Sequence, residues 1–135
     1  MTLPRRFVAE AIGSFFLFAG VIGSGIMAAT LSNGNNGIAL LANTIATGAI
    51  LFVMIALLAP ISGAHFNPAV TLALTVRRQI NPRNALAYIF AQLVGGLLAV
   101  LAVHAMFDLP LFHRRLHGRG GRRRRRFGHN CLRSR

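Results

Sequence analysis

Three long, predominantly apolar segments limit what this chain can fold into. They cover residues 7–30, 38–59 and 85–107, and Glu10 is the only residue with a formal charge within them. A helix needs about 20 mostly apolar residues to cross the roughly 30 Å hydrocarbon core of a bilayer. Each segment is long enough, and 54% of the 135 residues are hydrophobic. The sequence therefore predicts an all-α membrane protein with three transmembrane helices.

The first segment has an alternative interpretation as an export signal, because Arg5 and Arg6 stand directly before it. A cleavable secretory signal has an apolar region of about 7–15 residues, which is shorter than this segment. A twin-arginine export signal is a further alternative. We favour a membrane helix because of the length of the segment.

Residues 62–72, with the sequence SGAHFNPAVTL, interrupt the apolar pattern between the second and third segments. Asn67 is a residue type that caps helices, and Pro68 suits the first helical position. A helix over residues 67–76 would be about 15 Å long, which is too short to cross a bilayer. Irregular backbone at that depth must be buried in protein or line a wet cavity. We predict a re-entrant half-helix, with a capped helix on the membrane surface as the alternative.

The arginines outside the segments predict the orientation. Arg5 and Arg6 precede the first segment, and Arg77, Arg78 and Arg83 follow the second. Two crossings return the chain to its starting side, so both groups lie on the same side of the membrane. The positive-inside rule makes that side the cytoplasm. We expect an integral protein of the bacterial inner membrane with a cytoplasmic N-terminus.

Three sequence elements occur in a characteristic order, namely AEAIGSFFLF at residues 9–18, SGAHFNPAVTLA at 62–73 and YIFAQLVGG at 88–96. Together they resemble the N-terminal half of the aquaporins and glycerol facilitators, the major intrinsic protein family. The resemblance implies that residues 1–112 form one repeat of an inverted-repeat channel fold. It also implies passive passage of water or small neutral solutes (glycerol, urea or metalloid acids such as arsenite) and a homotetramer in the lipid bilayer.

The resemblance implies pore-lining roles around the central motif. Asn67, Pro68 and Ala69 match the family's first Asn-Pro-Ala, whose asparagine amide donates a hydrogen bond to the passing molecule. The family loop whose backbone carbonyls form an acceptor ladder along the pore corresponds to Gly63, Ala64 and His65.

Two further matches concern support of this loop. Glu10 matches a buried glutamate that holds the loop in place, and Gln92 matches a glutamine that supports the same region. A carboxylate inside a span is costly and needs partners, which loop N–H groups and the His65 ring can supply. A proton-relay acid is the alternative for Glu10, but the spans contain no second acid. A metal-ligand role for His65 is disfavoured because no second ligand is near in sequence.

Thr47 is the remaining candidate pore residue. Alignment back from Asn67 places it where one side chain of the family's outer constriction stands. Water-selective members resemble one another in having a bulky aromatic residue there, so the smaller Thr47 implies a wider constriction that suits glycerol, urea or metalloid acids. The alternative is a threonine that hydrogen-bonds its own helix backbone.

Residues 113–135 have a different composition, with ten of the fifteen arginines and no helical or strand period. Family members have six spans and two half-helices, and inverted repeats place the pore at the repeat interface. We therefore expect this chain to be a truncated, non-conducting half. A frameshift near His113 would explain a disordered, arginine-rich tail.

The tail also raises a hypothesis of a different class, a membrane-anchored protein whose arginines bind nucleic acid or anionic lipid. Three crossings from a cytoplasmic start would place the tail outside the cell, so we do not expect nucleic acid as a partner. Deletion of residues 114–135 discriminates, because transport should not need them. No enzyme, cofactor or metal site is expected, since no nucleophile–base set, acid pair or ligand cluster is present.

Overall fold

The structure is a computed structural model, and it describes residues 2–109. These residues form four helices, namely α1 (Leu3–Leu31), α2 (Asn36–Ser62), α3 (Pro68–Val76) and α4 (Pro82–Met106). Helices α1, α2 and α4 are long and apolar enough to cross a membrane, whereas α3 has nine residues. The predicted all-α membrane fold with three spans and one short helix is confirmed. The predicted tail over residues 113–135 lies outside the described residues.

The long helices begin two to four residues before the apolar segments, at residues that suit a helix start. The Asn35 side chain accepts hydrogen bonds from the N–H groups of Gly37 and Ile38 at the start of α2. Asn81 accepts from the N–H group of Arg83 at the start of α4. Such caps satisfy N–H groups that have no partner inside the helix.

Helix α1 is the centre of the packing, because it contacts α2 on one side and α4 on the other. Glycines allow both contacts to be close. A Cβ atom on Gly20 would lie 2.5 Å from the Ile50 side chain of α2. A Cβ atom on Gly95 of α4 would overlap the backbone carbonyl of Ala11. Small residues at these crossings are the usual means by which helices pack in lipid.

Helix α4 has one continuous buried face whose members recur every three or four residues. They are Ala85, Tyr88, Gln92, Gly95, Ala99 and Val103. Helix α3 packs against α4, and Thr71 in the second turn of α3 is hydrogen-bonded to Gln92. Gln92 lies ten residues after Pro82, or about 15 Å along α4. Helix α3 therefore begins beside the middle of a membrane-spanning helix.

The five arginines within the described residues lie at one end of the bundle. Helices α1 and α4 start at the same end, since the rings of Phe7 and Tyr88 have centroids 5.9 Å apart. Arg5 and Arg6 stand at the start of α1, and the other three belong to the turn before α4 or to its first turn. All five are exposed.

Candidate functional site

The loop between α2 and α3 has an unusual backbone path. Helix α2 ends at Ser62 and is capped by Gly63, which has φ of 96°. The N–H group of Gly63 donates to the carbonyl of Ala59 over 3.0 Å. Ala64 and Phe66 also have positive φ angles, 53° and 46°. Residues other than glycine adopt this conformation at a cost of roughly 1–3 kcal/mol each, so the surrounding structure must hold it.

Glu10 of α1 supplies the interactions that hold the loop. Its Oε1 accepts hydrogen bonds from the Ser62 hydroxyl (2.7 Å) and the backbone N–H group of His65 (3.0 Å). Its Oε2 accepts from the backbone N–H group of Phe66 (2.8 Å) and from Gln92 Nε2 (2.8 Å). The side chain is fully buried. Four donors surround the carboxyl group, so both of its oxygens act as acceptors.

A second set of hydrogen bonds connects the loop to α3 and α4. Gln92 Nε2 also donates to Thr71 Oγ1 over 3.0 Å, and Thr71 Oγ1 donates to the carbonyl of Asn67 over 3.1 Å. The Tyr88 hydroxyl donates to the carbonyl of Ser62 over 2.9 Å. Tyr88 and Gln92 are one turn apart on the buried face of α4. The same face therefore holds both ends of the loop.

The Phe66 side chain fixes the loop from the other direction. It is 2% exposed and lies against Gly13 of α1, where a Cβ atom would overlap the phenyl ring. Gly13 follows Glu10 by three residues, so both lie on one face of α1. On this face Glu10 accepts a hydrogen bond from the Phe66 backbone, and Gly13 leaves space for the Phe66 ring.

The side-chain oxygen of Asn67 accepts a hydrogen bond within the cap of α3, whereas its NH₂ group is available to donate. It has extended φ and ψ angles of −148° and 125°, and its Oδ1 accepts from the N–H group of Ala69 over 2.8 Å. Because the cap uses the oxygen, the amide NH₂ group is left to donate elsewhere. The residue is exposed, and no acceptor among residues 2–109 binds that NH₂ group.

The three loop residues before Phe66 leave acceptors open. Within the described part of the chain, no donor binds the carbonyl oxygens of Gly63, Ala64 or His65. The His65 ring is half-buried, with Nδ1 3.1 Å from Thr71 Oγ1. An amide donor and three carbonyl acceptors thus stand within five consecutive residues. This set can hydrogen-bond an uncharged molecule that carries hydroxyl groups.

Thr47 lies apart from this cluster. It precedes Ser62 by fifteen residues in α2, which corresponds to about 22 Å along the helix. Its side chain is half-buried, and it makes no hydrogen bond to its own helix within residues 2–109, whereas Thr44 donates to the carbonyl of Leu40 over 2.8 Å. The structure therefore brings together every candidate site residue except Thr47, whose role in a constriction stays a prediction.

Sequence reasoning did not single out Ser62, Thr71, Tyr88, Phe66 or Gly13 as members of this site. A signal existed for Tyr88, because it precedes Gln92 by one helical turn and shares its face. Ser62 and Thr71 lie inside the SGAHFNPAVT stretch, but the sequence does not show that their hydroxyl groups contact Glu10 and Gln92. No groups of three or more His, Cys, Asp or Glu side chains that could hold a metal occur among residues 2–109.

Comparison with known proteins identifies the family. The family model described as "Major intrinsic protein" matches residues 1–123. Aquaglyceroporin AqpS of Rhizobium meliloti (strain 1021) is 51% identical over 108 residues, which are 80% of this chain and 46% of the relative. Aquaporin Z of Photorhabdus laumondii is 34% identical over 102 residues, which are 76% of this chain and 43% of the relative.

A plant relative gives the same result. Aquaporin NIP1-1 of Oryza sativa subsp. japonica is 38% identical over 104 residues, which are 76% of this chain and 35% of the relative. The chain thus spans less than half the length of these curated relatives. The family model covers most of the chain, and the resemblance found in the sequence is confirmed. The chain belongs to the major intrinsic protein family.

Proposed function

We propose that this chain supplies half of the wall of a passive channel for water and small uncharged solutes such as glycerol. One observation carries the proposal: the exposed amide of Asn67 and the open carbonyls of residues 63–65 lie on a loop held by the buried Glu10. A molecule that leaves water needs replacement donors and acceptors. Relatives named aquaporin and aquaglyceroporin support the same solute class.

The start of α3 favours neutral molecules over cations. The N-terminal end of a helix carries partial positive charge, which repels cations and protons in a low-dielectric setting. Asn67 and Pro68 stand at that end. For the permeant itself, we propose that the small Thr47 side chain leaves a constriction wide enough for glycerol, urea or metalloid acids. The Rhizobium relative is named an aquaglyceroporin, which supports glycerol among these.

We further propose that the 135 residues do not conduct on their own. They contain one Asn-Pro-Ala motif, at Asn67 to Ala69. In inverted-repeat transporters and channels the solute site lies at the interface of two repeats. We assign residues 1–112 to one such repeat and place residues 113–135 outside it. A second repeat would have to face Asn67 for a pore to close around the solute.

The arginine-bearing end sets the proposed orientation. Five exposed arginines lie at the end where α1 and α4 begin, which the positive-inside rule places in the cytoplasm. Two of the relatives are bacterial. We therefore propose the inner membrane of a bacterium as the location. A homotetramer stays a prediction.

Solute flux into proteoliposomes tests the proposal. One sample holds the 135-residue chain, and a second holds a chimera in which residues 1–109 precede the part of the Rhizobium aquaglyceroporin that follows its matched segment. We expect stopped-flow light scattering to show faster water or glycerol entry for the chimera than for empty liposomes. We expect the 135-residue chain to match empty liposomes.

Circular dichroism and size-exclusion chromatography serve as controls for folding in both samples. A folded chimera as impermeable as empty liposomes would contradict the channel assignment. A 135-residue chain as permeable as the chimera would contradict the claim that a second repeat is needed.

A further inference from the structure

We propose that Asn33 is a site of spontaneous deamidation, in which the main-chain nitrogen of Gly34 displaces the side-chain amide as ammonia. The chain contains two Asn-Gly dipeptides, Asn33-Gly34 and Asn36-Gly37. They lie between the end of α1 and the first turn of α2. Glycine after asparagine favours the reaction, because no Cβ atom hinders the attacking nitrogen. The dipeptides alone therefore predict equal reactivity for the two asparagines.

The reaction needs only water as a co-reactant. The nitrogen of Gly34 loses its proton and forms a bond to Cγ of Asn33, while the bond from Cγ to the side-chain nitrogen breaks. The proton and the NH₂ group leave together as ammonia. Water then opens the cyclic imide at one of its carbonyl groups. The product is aspartate or isoaspartate, so an uncharged side chain becomes a carboxylate.

At Asn33 the reacting groups are free to meet. Within residues 2–109, neither the N–H group of Gly34 nor the Asn33 side chain makes a hydrogen bond. The two residues have positive φ angles of 53° and 87°. Nothing lies within 4 Å of a Cβ atom placed on Gly34. The main chain can therefore bring the nitrogen to Cγ without breaking a hydrogen bond of either reacting group.

At Asn36 the corresponding nitrogen is held. Asn36 is the first residue of α2, and the N–H group of Gly37 donates to Oδ1 of Asn35 over 3.0 Å. The same oxygen accepts from the N–H group of Ile38 over 3.2 Å. The N–H group of Ala39 donates to the carbonyl of Asn35 over 3.1 Å and closes the first helical turn. Attack by the nitrogen of Gly37 would break this cap, so α2 protects Asn36.

The contrast between the two asparagines arises within one short loop. A single residue, Asn35, separates the two dipeptides. A second repeat or a neighbouring subunit that covered the loop would therefore cover both of them. The difference in reactivity depends on hydrogen bonds among residues 33–39, and the 135-residue chain contains all of these residues.

Deamidation at Asn33 changes the charge at this end of the bundle. Residues 31–37 carry no formal charge. Asp108 follows α4 at the same end, since a Cβ atom on Gly23 of α1 would lie 3.7 Å from Phe107. Among the residues that the structure describes, Asp108 is the only exposed acid. A carboxylate at position 33 adds a second one, and isoaspartate also lengthens the main chain.

Timed incubation of the purified 135-residue chain in detergent tests the proposal. Samples kept at neutral and mildly alkaline pH are digested with chymotrypsin, and tandem mass spectrometry locates the mass increase at Asn33 or Asn36. We expect Asn33 to react at least about fivefold faster than Asn36, the factor that corresponds to the loss of one helix cap. The rate at Asn33 should rise with pH, because the attacking nitrogen must lose a proton.

Two variants and a peptide provide matched controls. Asn35→Ala removes the acceptor of the Gly37 N–H group, so Asn36 should react about fivefold faster while the rate at Asn33 stays the same. Gly34→Ala should slow the reaction at Asn33, because its Cβ atom hinders the attacking nitrogen. A synthetic peptide of residues 32–40 lacks the rest of α2, so its two asparagines should react at similar rates. Circular dichroism confirms that each variant of the chain is folded.

Three outcomes would overturn the proposal. The first is an equal rate at Asn33 and Asn36 in the folded chain. The second is an intact Asn33 in the chain under conditions that convert the peptide. The third is a ratio of the two rates that is no larger in the chain than in the peptide. None of these outcomes depends on solute transport.

Discussion

Two Asn-Pro dipeptides begin helices in this chain, and the comparison between them separates a capping motif from a functional site. Asn67 precedes α3 and Asn81 precedes α4, each with proline at the first helical position. Each side-chain oxygen accepts a hydrogen bond from the N–H group two residues later, over 2.8 Å at Ala69 and 3.1 Å at Arg83. The capping chemistry is the same, so it cannot account for a difference in function.

The segments before the two caps differ in how they are held. The loop before Asn67 is bound through Glu10, more than fifty residues away in sequence. The turn before Asn81 bonds to its own neighbours, with Arg78 N–H donating to the carbonyl of Thr75 over 2.9 Å. Only the first segment needs a distant buried group for its shape. Glu10 binds the N–H groups of His65 and Phe66, while the carbonyl oxygens of residues 63–65 accept no hydrogen bond from the described residues.

The largest expected effect comes from removing the distant anchor. Glu10→Gln replaces two acceptor oxygens with one oxygen and one NH₂ group, so two of the four donors lose their acceptor. A buried donor without a partner costs about 1–3 kcal/mol, so we expect the free energy of unfolding to fall by about 2–6 kcal/mol. Circular dichroism of the detergent-solubilised chain during titration with sodium dodecyl sulfate measures it.

Hydrogen exchange shows which backbone amides the Glu10→Gln substitution affects. The N–H groups of His65 and Phe66 bind different oxygens of Glu10, and Glu10→Gln keeps one of these oxygens. One of the two amides should therefore exchange faster, because it loses its acceptor. The amides of Arg78 and Gln79 in the turn before α4 should exchange as before, since their acceptors are backbone carbonyls of Thr75 and Leu74. Unchanged exchange at His65 and Phe66 would show that the loop does not depend on Glu10.

A smaller effect is expected where the Phe66 ring meets α1. Gly13→Ala puts a Cβ atom into the space of the ring, and overpacking of this kind costs about 1–3 kcal/mol. Gly48→Ala is the matched control, since nothing lies within 4 Å of the added Cβ atom. It should be neutral or stabilising by up to about 1 kcal/mol, the helix preference of alanine over glycine. Equal stability of the two variants would rule out a packing role for Gly13.

The smallest changes in the free energy of unfolding should come from replacing the two capping asparagines. Asn67→Ala and Asn81→Ala each remove one side-chain acceptor from a helix N-terminus, which costs about 1 kcal/mol. We expect the two losses to be similar, as measured by the same unfolding titration. A much larger loss for Asn67→Ala would mean that its amide also supports the fold, and the comparison between the caps would fail.

The fold could be predicted from the sequence because its signals are local. The length of each apolar segment decides whether it can span, and residues such as Asn67 with Pro68 mark where a helix begins. The helix starts lie a few residues before the apolar segments because polar caps and arginines continue the helix into the headgroup region. Local signals of this kind need no knowledge of the partner helices.

The site could be predicted only in part, since its contacts join distant residues. Glu10 and Gln92 were found through the family resemblance, and for Glu10 the cost of a carboxylate inside an apolar segment supported the same role. Ser62 and Thr71 were missed because hydroxyl groups are common in membrane helices and often bond their own backbone, as Thr75 does to the carbonyl of Thr71 over 2.7 Å. The positive φ angles of Ala64 and Phe66 had no signal in the residue types.

The most direct test of the central claim compares the two asparagines by flux. Asn67→Ala and Asn81→Ala are introduced separately into the chimera with the Rhizobium aquaglyceroporin, and glycerol and water entry into proteoliposomes is recorded by stopped-flow light scattering. The account predicts that Asn67→Ala changes the permeability strongly while Asn81→Ala leaves it as in the parent chimera. Equal permeability of both variants to the parent would contradict the claim that the Asn67 amide contacts the passing solute.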